Sequence, residues 1–262
     1  MENRVLIFAE ALDVAAEGAL WYARRIGGGT FEAVHVPSKG TDTGIHARWF
    51  DFTGGEPRLD VRPPGSDPTE VVLEKVARLR GSSDDVVVTV VLPEQFRKRS
   101  LLAAAQRAQF RLKLRLLTEP GVVVADVPAV TSERHPMGHV PDKLILRVLA
   151  GSPDARTHRA IEYARGLPGV DELRALHFGP RDWDDSELGI PVDDAPLTGR
   201  LGDAILTEVR KLTADPATAV NVVLPERVDS GLRRLRGPRA VAIKRCVLFE
   251  PHVILSSVPT RA

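Results

Sequence analysis

Cysteine is almost missing from this chain: Cys246 is the only one in 262 residues. No internal disulfide can form, and a reducing, cytoplasmic setting is expected. Cys246 falls in the apolar half of an expected helix and reads as a small core residue. Aromatic residues make up only 5% of the chain. The basic stretches therefore lack the regular interleaved aromatics on which single-stranded nucleic acid stacks, and nucleic acid is not an expected partner. Long apolar runs are also missing, since none approaches the ~18 residues of a membrane-crossing helix. Met1-Glu2-Asn3-Arg4 carries no signal-peptide pattern. No Ser-His-Asp or Cys-His arrangement and no Gly-x-Ser-x-Gly elbow occurs, so a non-catalytic role is expected. His135 and His139 are separated by Pro136 and Gly138, with no third ligand near, so no metal site is expected. Asp182, Asp184, Asp185, Asp193 and Asp194 lack calcium-loop spacing and read as a solvated surface loop.

What is present is organised around residues 86–128. Val86 to Leu92 is an apolar, β-branched run, as in a strand buried on both faces and stopped by Pro93-Glu94. Leu101, Ala105, Ala108, Leu112 and Leu116 recur at helical spacing. Pro120-Gly121 breaks that helix, and Val122-Val123-Val124 starts a second buried strand closed by Pro128. Two parallel strands joined by a helix make a right-handed βαβ unit.

The unit returns. Val91-Leu92-Pro93-Glu94 recurs as Val223-Leu224-Pro225-Glu226, Glu119-Pro120 as Glu250-Pro251, and Val127-Pro128 as Val258-Pro259. The enclosing prolines lie 35 positions apart in one copy and 34 in the other, the mark of a duplication. Upstream, a strand from Arg4 to Ala9, a helix from Val14 to Ile26 with Asp13 as N-cap, and a strand from Phe31 to Val36 match a strand at 144–149, a helix at 154–167 and a strand at 173–178. Tyr22-Ala23-Arg24 matches Tyr163-Ala164-Arg165, and His35 matches His177 as a packed residue at a strand end. Helices at 67–80 and 202–212 complete the copies. Such alternation predicts two tandem doubly wound α/β domains with parallel sheets: residues 1–130, a linker at 131–141, and residues 142–262. The copies differ at 38–66, where Trp49, Phe50 and Phe52 suggest a short strand at 47–52. Gly121 to Val127 and His252 to Val258 are apolar edge strands that should pair the halves about a pseudo-two-fold axis.

Charge is uneven. Residues 95–118 hold seven basic side chains (Arg97, Lys98, Arg99, Arg107, Arg111, Lys113, Arg115) and no acidic one, and residues 227–245 hold seven (Arg227, Arg233, Arg234, Arg236, Arg239, Lys244, Arg245) against Asp229. The whole chain is only +1, so the remainder is strongly acidic. The plainest reading is a pair of solvated helix faces. The sharper one is a surface for an anionic partner. Arg97, Lys98 and Arg99 follow a central strand, where doubly wound sheets place ligands.

Ala150-Gly151-Ser152-Pro153-Asp154-Ala155 followed by Arg159 to Arg165 resembles the opening of a universal stress protein domain. The first half, through Tyr22-Ala23-Arg24, Ala33 to Val36, Val88 to Glu94, Arg111-Leu112-Lys113 and Pro120 to Pro128, resembles the cytosolic universal-stress-like tail of amino acid permeases of the amino acid–polyamine–organocation superfamily. The resemblance implies a Rossmann-like sheet and a regulatory or sensing role beside a transporter. ATP-binding members of the family carry Gly-x2-Gly-x9-Gly-Ser/Thr after the fourth strand, where this chain has Pro93 to Arg99 and Pro225 to Gly231. Their acidic residue after the first strand is replaced by Ala9 and Ala150. The usual triphosphate mode is therefore not expected. What the resemblance leaves as candidate ligand residues is Glu10, Gly151 and Ser152 at the first strand ends, with Arg97, Lys98, Arg99, Arg227, Arg233 and Arg234. ATP, AMP and cyclic di-AMP are the ligands to consider. The alternatives are a nucleotide-handling enzyme with a degenerate pocket and a protein-interaction scaffold without a ligand.

Overall fold

The computed structural model describes residues 1–12, 14–37, 44–96, 108–130, 141–228 and 238–261. The N-cap expected at Asp13, the linker at 131–140 and the basic stretches 97–107 and 229–237 lie outside them.

The first half runs β1 (Glu2–Phe8), α1 (Val14–Ile26), β2 (Glu32–His35), α2 (Ile45–Thr53), β3 (Leu59–Val61), α3 (Pro68–Arg80), β4 (Val86–Phe96), α4 (Ala108–Leu116) and β5 (Val122–Val130). The second runs β6 (Lys143–Leu149), α5 (Ala155–Arg165), β7 (Glu172–Phe178), α6 (Asp185–Leu188), β8 (Val192–Ala195), α7 (Leu201–Leu212), β9 (Thr218–Val228), α8 (Pro238–Val247) and β10 (Val253–Arg261). Local chemistry sets many of the boundaries. Asp67 caps α3 by accepting from the Thr69 amide, Pro68 needs no amide partner in the first turn, and Gly81 ends the helix. Asp154 caps α5 through the amides of Arg156 and Thr157.

All ten strands form one sheet in the order β3-β2-β1-β4-β5-β10-β9-β6-β7-β8. Pairing is parallel within each half and antiparallel at the centre, where β5 meets β10 through Asp126↔Leu255, Ala125↔Ser256 and Val124↔Ser257. The repeated Val-Pro pairs make Ala125 and Ser256 equivalent positions, so this central pair is self-related. A pseudo-two-fold axis passes through it, the geometry of an isologous dimer interface built inside one chain. The edge strands expected to join the halves do join them.

Two faces of the sheet differ. Under α1 and α5 one apolar core runs continuously across the seam, from Val5, Ile7 and Ala19 to Leu144, Leu146 and Ile161. On the opposite face the core divides, with Val72, Val90 and Leu112 in the first half and Ile205, Val222 and Val247 in the second.

Several expectations change. Residues 45–53 are helical, not a strand: Ile45 and Trp49 stand one turn apart and are both buried, and left-handed Gly54 closes the helix on the Phe50 carbonyl at 2.7 Å. Pro93-Glu94 and Pro128 do not stop their strands, because β4 pairs with β5 as far as Phe96↔Val130 and β9 with β10 as far as Val228↔Arg261. Beyond Val91, β4 no longer pairs with β1, and a proline is tolerated on an edge that has no ladder partner. The aspartate-rich stretch is only in part the solvated loop expected: Asp182, Asp184 and Asp194 are exposed, but the stretch is not all loop. It forms α6 and edge strand β8, and its carboxylates neutralise arginines: Asp193 lies 3.2 Å from buried Arg147 and 2.7 Å from Arg174, and Asp194 lies 2.9 Å from Arg181.

Candidate functional site

Of the residues singled out for an anionic ligand, Arg97, Lys98, Arg99, Arg233 and Arg234 lie outside the described residues. Glu10, Gly151, Ser152 and Arg227 are exposed. They do not converge: the halves run antiparallel across the seam, so Glu10, after β1, lies at one end of the sheet, and Gly151, Ser152 and Arg227 lie at the other. Space is open at Gly151, where a Cβ would meet nothing within 4 Å. The first amides of α5 are already taken by the Asp154 carboxylate. Burial raises the Asp154 pKa, but the Thr157 amide and Arg156 outweigh it and hold the group below its usual range. An anion beside Ser152 would meet that charge. His35 and His177 are buried and directed at matching carbonyls, His35 Nδ1 to Ala9 O at 2.6 Å and His177 Nδ1 to Ala150 O at 2.9 Å.

Polar chemistry concentrates instead on the pseudo-axis. On the α1/α5 face the hydroxyls of Tyr22 and Tyr163 meet beneath the helices, both rings fully buried. Each reaches across to the other half. Asn221 on β9 donates to the Tyr22 hydroxyl at 2.7 Å, and Thr89 on β4 lies 3.2 Å from the Tyr163 hydroxyl and 2.6 Å from Asn3 Oδ1. Thr89 and Asn221 occupy equivalent positions, as do the tyrosines, so the network is itself two-fold. Ser256 Oγ, on the axis, is 3.3 Å from the Tyr22 hydroxyl. Burial pushes both phenols above their ordinary value. The repeated Tyr-Ala-Arg marked these tyrosines, but nothing in the sequence paired each with the opposite strand.

On the other face, two residues counted as surface charge turn inward. Lys113 of α4 bonds Glu94 and lies 2.8 Å from Asp126, and its equivalent, Lys244 of α8, lies 2.8 Å from Glu226. All three acids are buried. Burial holds the Lys113 ammonium below its ordinary value, opposed by Asp126 and reinforced by the nearby Lys244. The signal was present in the sequence: each repeated Val-Leu-Pro-Glu is followed by a lysine at the same place in the next helix. Arg111, Arg115 and Arg245 do remain exposed, and Arg115 pairs with Glu119 at 3.0 Å. Among the described residues no helix is long and apolar enough to cross a membrane, and no group of three or more His, Cys, Asp or Glu could hold a metal ion.

The doubly wound halves and their antiparallel seam define the class of protein: a tandem pair with the universal stress protein fold. A crystal structure of a universal stress protein from Archaeoglobus fulgidus DSM 4304 aligns over 97% of this chain and 96% of its own, at a TM-score of 0.52 and 16% identity. More specifically, residues 2–129 match the family model described as the KimA potassium transporter C-terminal domain. The first half thus resembles a transporter C-terminal domain, as its sequence suggested, although the transporter named carries potassium rather than amino acids. No curated protein matches the chain in sequence.

Proposed function

We propose that this chain is a non-catalytic, cytosolic regulatory module for a cation transporter, in which two copies of a transporter-type domain are fused into a permanent pair. The observation that carries the reading is the match of residues 2–129 to a potassium transporter's C-terminal domain, together with a second copy seated on it through β5 and β10. A domain that works as a two-fold pair gains preorganisation when both members share one chain, because the association entropy is met in folding. The test is co-purification with a KimA-type potassium transporter from membranes, and potassium uptake with and without the chain. A complex and altered uptake support the proposal. Absence of both discards it.

A nucleotide-sensing refinement is favoured by exposed Arg227 and the two basic sequence stretches. Incubation with ATP, AMP and cyclic di-AMP separates three outcomes. A raised unfolding temperature without turnover supports sensing, release of phosphate or nucleotide supports an enzyme, and no response favours a scaffold that works through protein contacts alone.

A further inference from the structure

The duplicated halves part company at one end of the seam. There a cleft of about 210 Å³ opens between the turn that leads into β5, the end of β10 and the side of α5, lined by Glu119, Gly121, Arg159, Pro259 and Thr260 among others. Arg159 is half-buried and makes no ion pair or side-chain hydrogen bond among the described residues. Thr260 Oγ1 is buried without a hydrogen-bond partner. At the equivalent end of the pseudo-axis these places hold Gly18 and Ala129. The repeat therefore does not require an arginine or a hydroxyl at these places.

A half-buried guanidinium with no protein partner among the described residues is satisfied by an acceptor-rich group in the cleft. The neighbouring charges do not oppose an anion. Glu119 is neutralised by Arg115 at 3.0 Å, and Arg80 donates to the Pro120 carbonyl at 3.0 Å beside the same turn. Ligand pockets for whole organic molecules run from about 300 to 1,000 Å³, so this cleft suits the head of a ligand rather than all of a nucleotide. Arginine's planar fork matches the two oxygens of a phosphate or carboxylate.

We propose that this seam cleft is a small-oxyanion site anchored by Arg159, present at one end of the pseudo-axis, with no arginine at the equivalent place on the other. The site straddles both halves, so its occupancy reports on the seam itself.

The full chain is titrated with inorganic phosphate at constant ionic strength, so that screening does not change, and unfolding temperature and calorimetric binding are read. The expected result is saturable binding, with a dissociation constant on the order of 1 mM. Arg159→Met weakens it at least about tenfold, in line with the loss of charge-assisted hydrogen bonds, and leaves the phosphate-free unfolding temperature near that of the native chain. Arg111→Met, an exposed arginine outside the cleft, leaves it unchanged. Should Arg159→Met unfold the chain, Arg159→Lys, which keeps the charge but loses the fork, serves in its place. AMP competing with phosphate identifies the anion as the head of a larger ligand, and AMP failing to compete identifies it as a free ion. No phosphate binding, or equal binding by native, Arg159 and Arg111 variants, overturns the proposal.

Discussion

At the residue scale the pseudo-axis turns on two hydroxyls. The chain has two tyrosines, and Tyr22 and Tyr163 are both buried in the seam network. Their raised pKa values carry a sign. A phenol held neutral in the folded state stabilises it fully below its unfolded value, about 10, and that stability is lost as pH rises from there through the folded value. Phenolate absorbance should therefore be nearly absent from the native protein at pH 10 and should appear together with loss of the fold. An alkaline spectrophotometric titration followed by circular dichroism checks this, and phenolate appearing well before unfolding contradicts it. The two hydroxyls are not equal. Removing that of Tyr22 strands the amide of Asn221, fully buried and with its Oδ1 already unpartnered. Removing that of Tyr163 leaves Thr89 bonded to Asn3. Tyr22→Phe should cost about 1–3 kcal/mol and Tyr163→Phe about 1 kcal/mol, measured by urea unfolding.

At the scale of elements, close approaches decide which substitutions the helices accept. Gly202 opens α7 against α8, and a Cβ there would lie 2.7 Å from Cys246 Sγ. Gly202→Ala should therefore force the two helices apart and cost about 1–3 kcal/mol. Cys246→Ala should recover much of that loss, so the double variant is expected to be non-additive in denaturant unfolding. Cys246 is half-buried, and burial raises its pKa, so its part here is steric. A second tie joins α1 to the loop before β7: Arg25 bonds Asp171 and, at 2.7 Å, the Gly169 carbonyl. The Leu144 amide and Arg25 hold the Asp171 carboxyl below its usual value, against a smaller effect of burial. Its stabilisation is present above about pH 4 and is lost as pH falls through the lowered value. Asp171→Asn should flatten the acid limb of a stability–pH curve by no more than about 1 kcal/mol, since both side chains are partly exposed.

At the scale of the whole molecule, the seam makes a prediction about its parts. Ala125↔Ser256 is self-related, so residues 1–130 alone would expose β5 and should pair with themselves, Ala125 opposite Ala125. Sedimentation should find that half dimeric, with Ala125→Pro reducing it to monomer, and a monomeric native half would contradict the two-fold reading. Much of this architecture was legible in the chain. Alternating Val-rich runs and amphipathic helices specify parallel βαβ units, and the returning Val-Leu-Pro-Glu, Tyr-Ala-Arg and Val-Pro motifs specify two copies, because periodicity and repetition are local properties of a sequence. The candidate site was less legible. Lys113 and Lys244 read as surface charge until the sheet brought Glu94, Asp126 and Glu226 beneath them. Asp193 of β8 read as solvated until Arg147 and Arg174 lay beside it. Arg159 carried no signal of its own, because its isolation is a fact about neighbours far along the chain. The sequence by itself determined the two parallel halves of the sheet and their equivalence. Only the tertiary structure decided which hydroxyls, charges and clefts meet at the axis between them, since the tyrosine contacts join residues more than seventy positions apart and the buried charges meet only once strand and helix pack together.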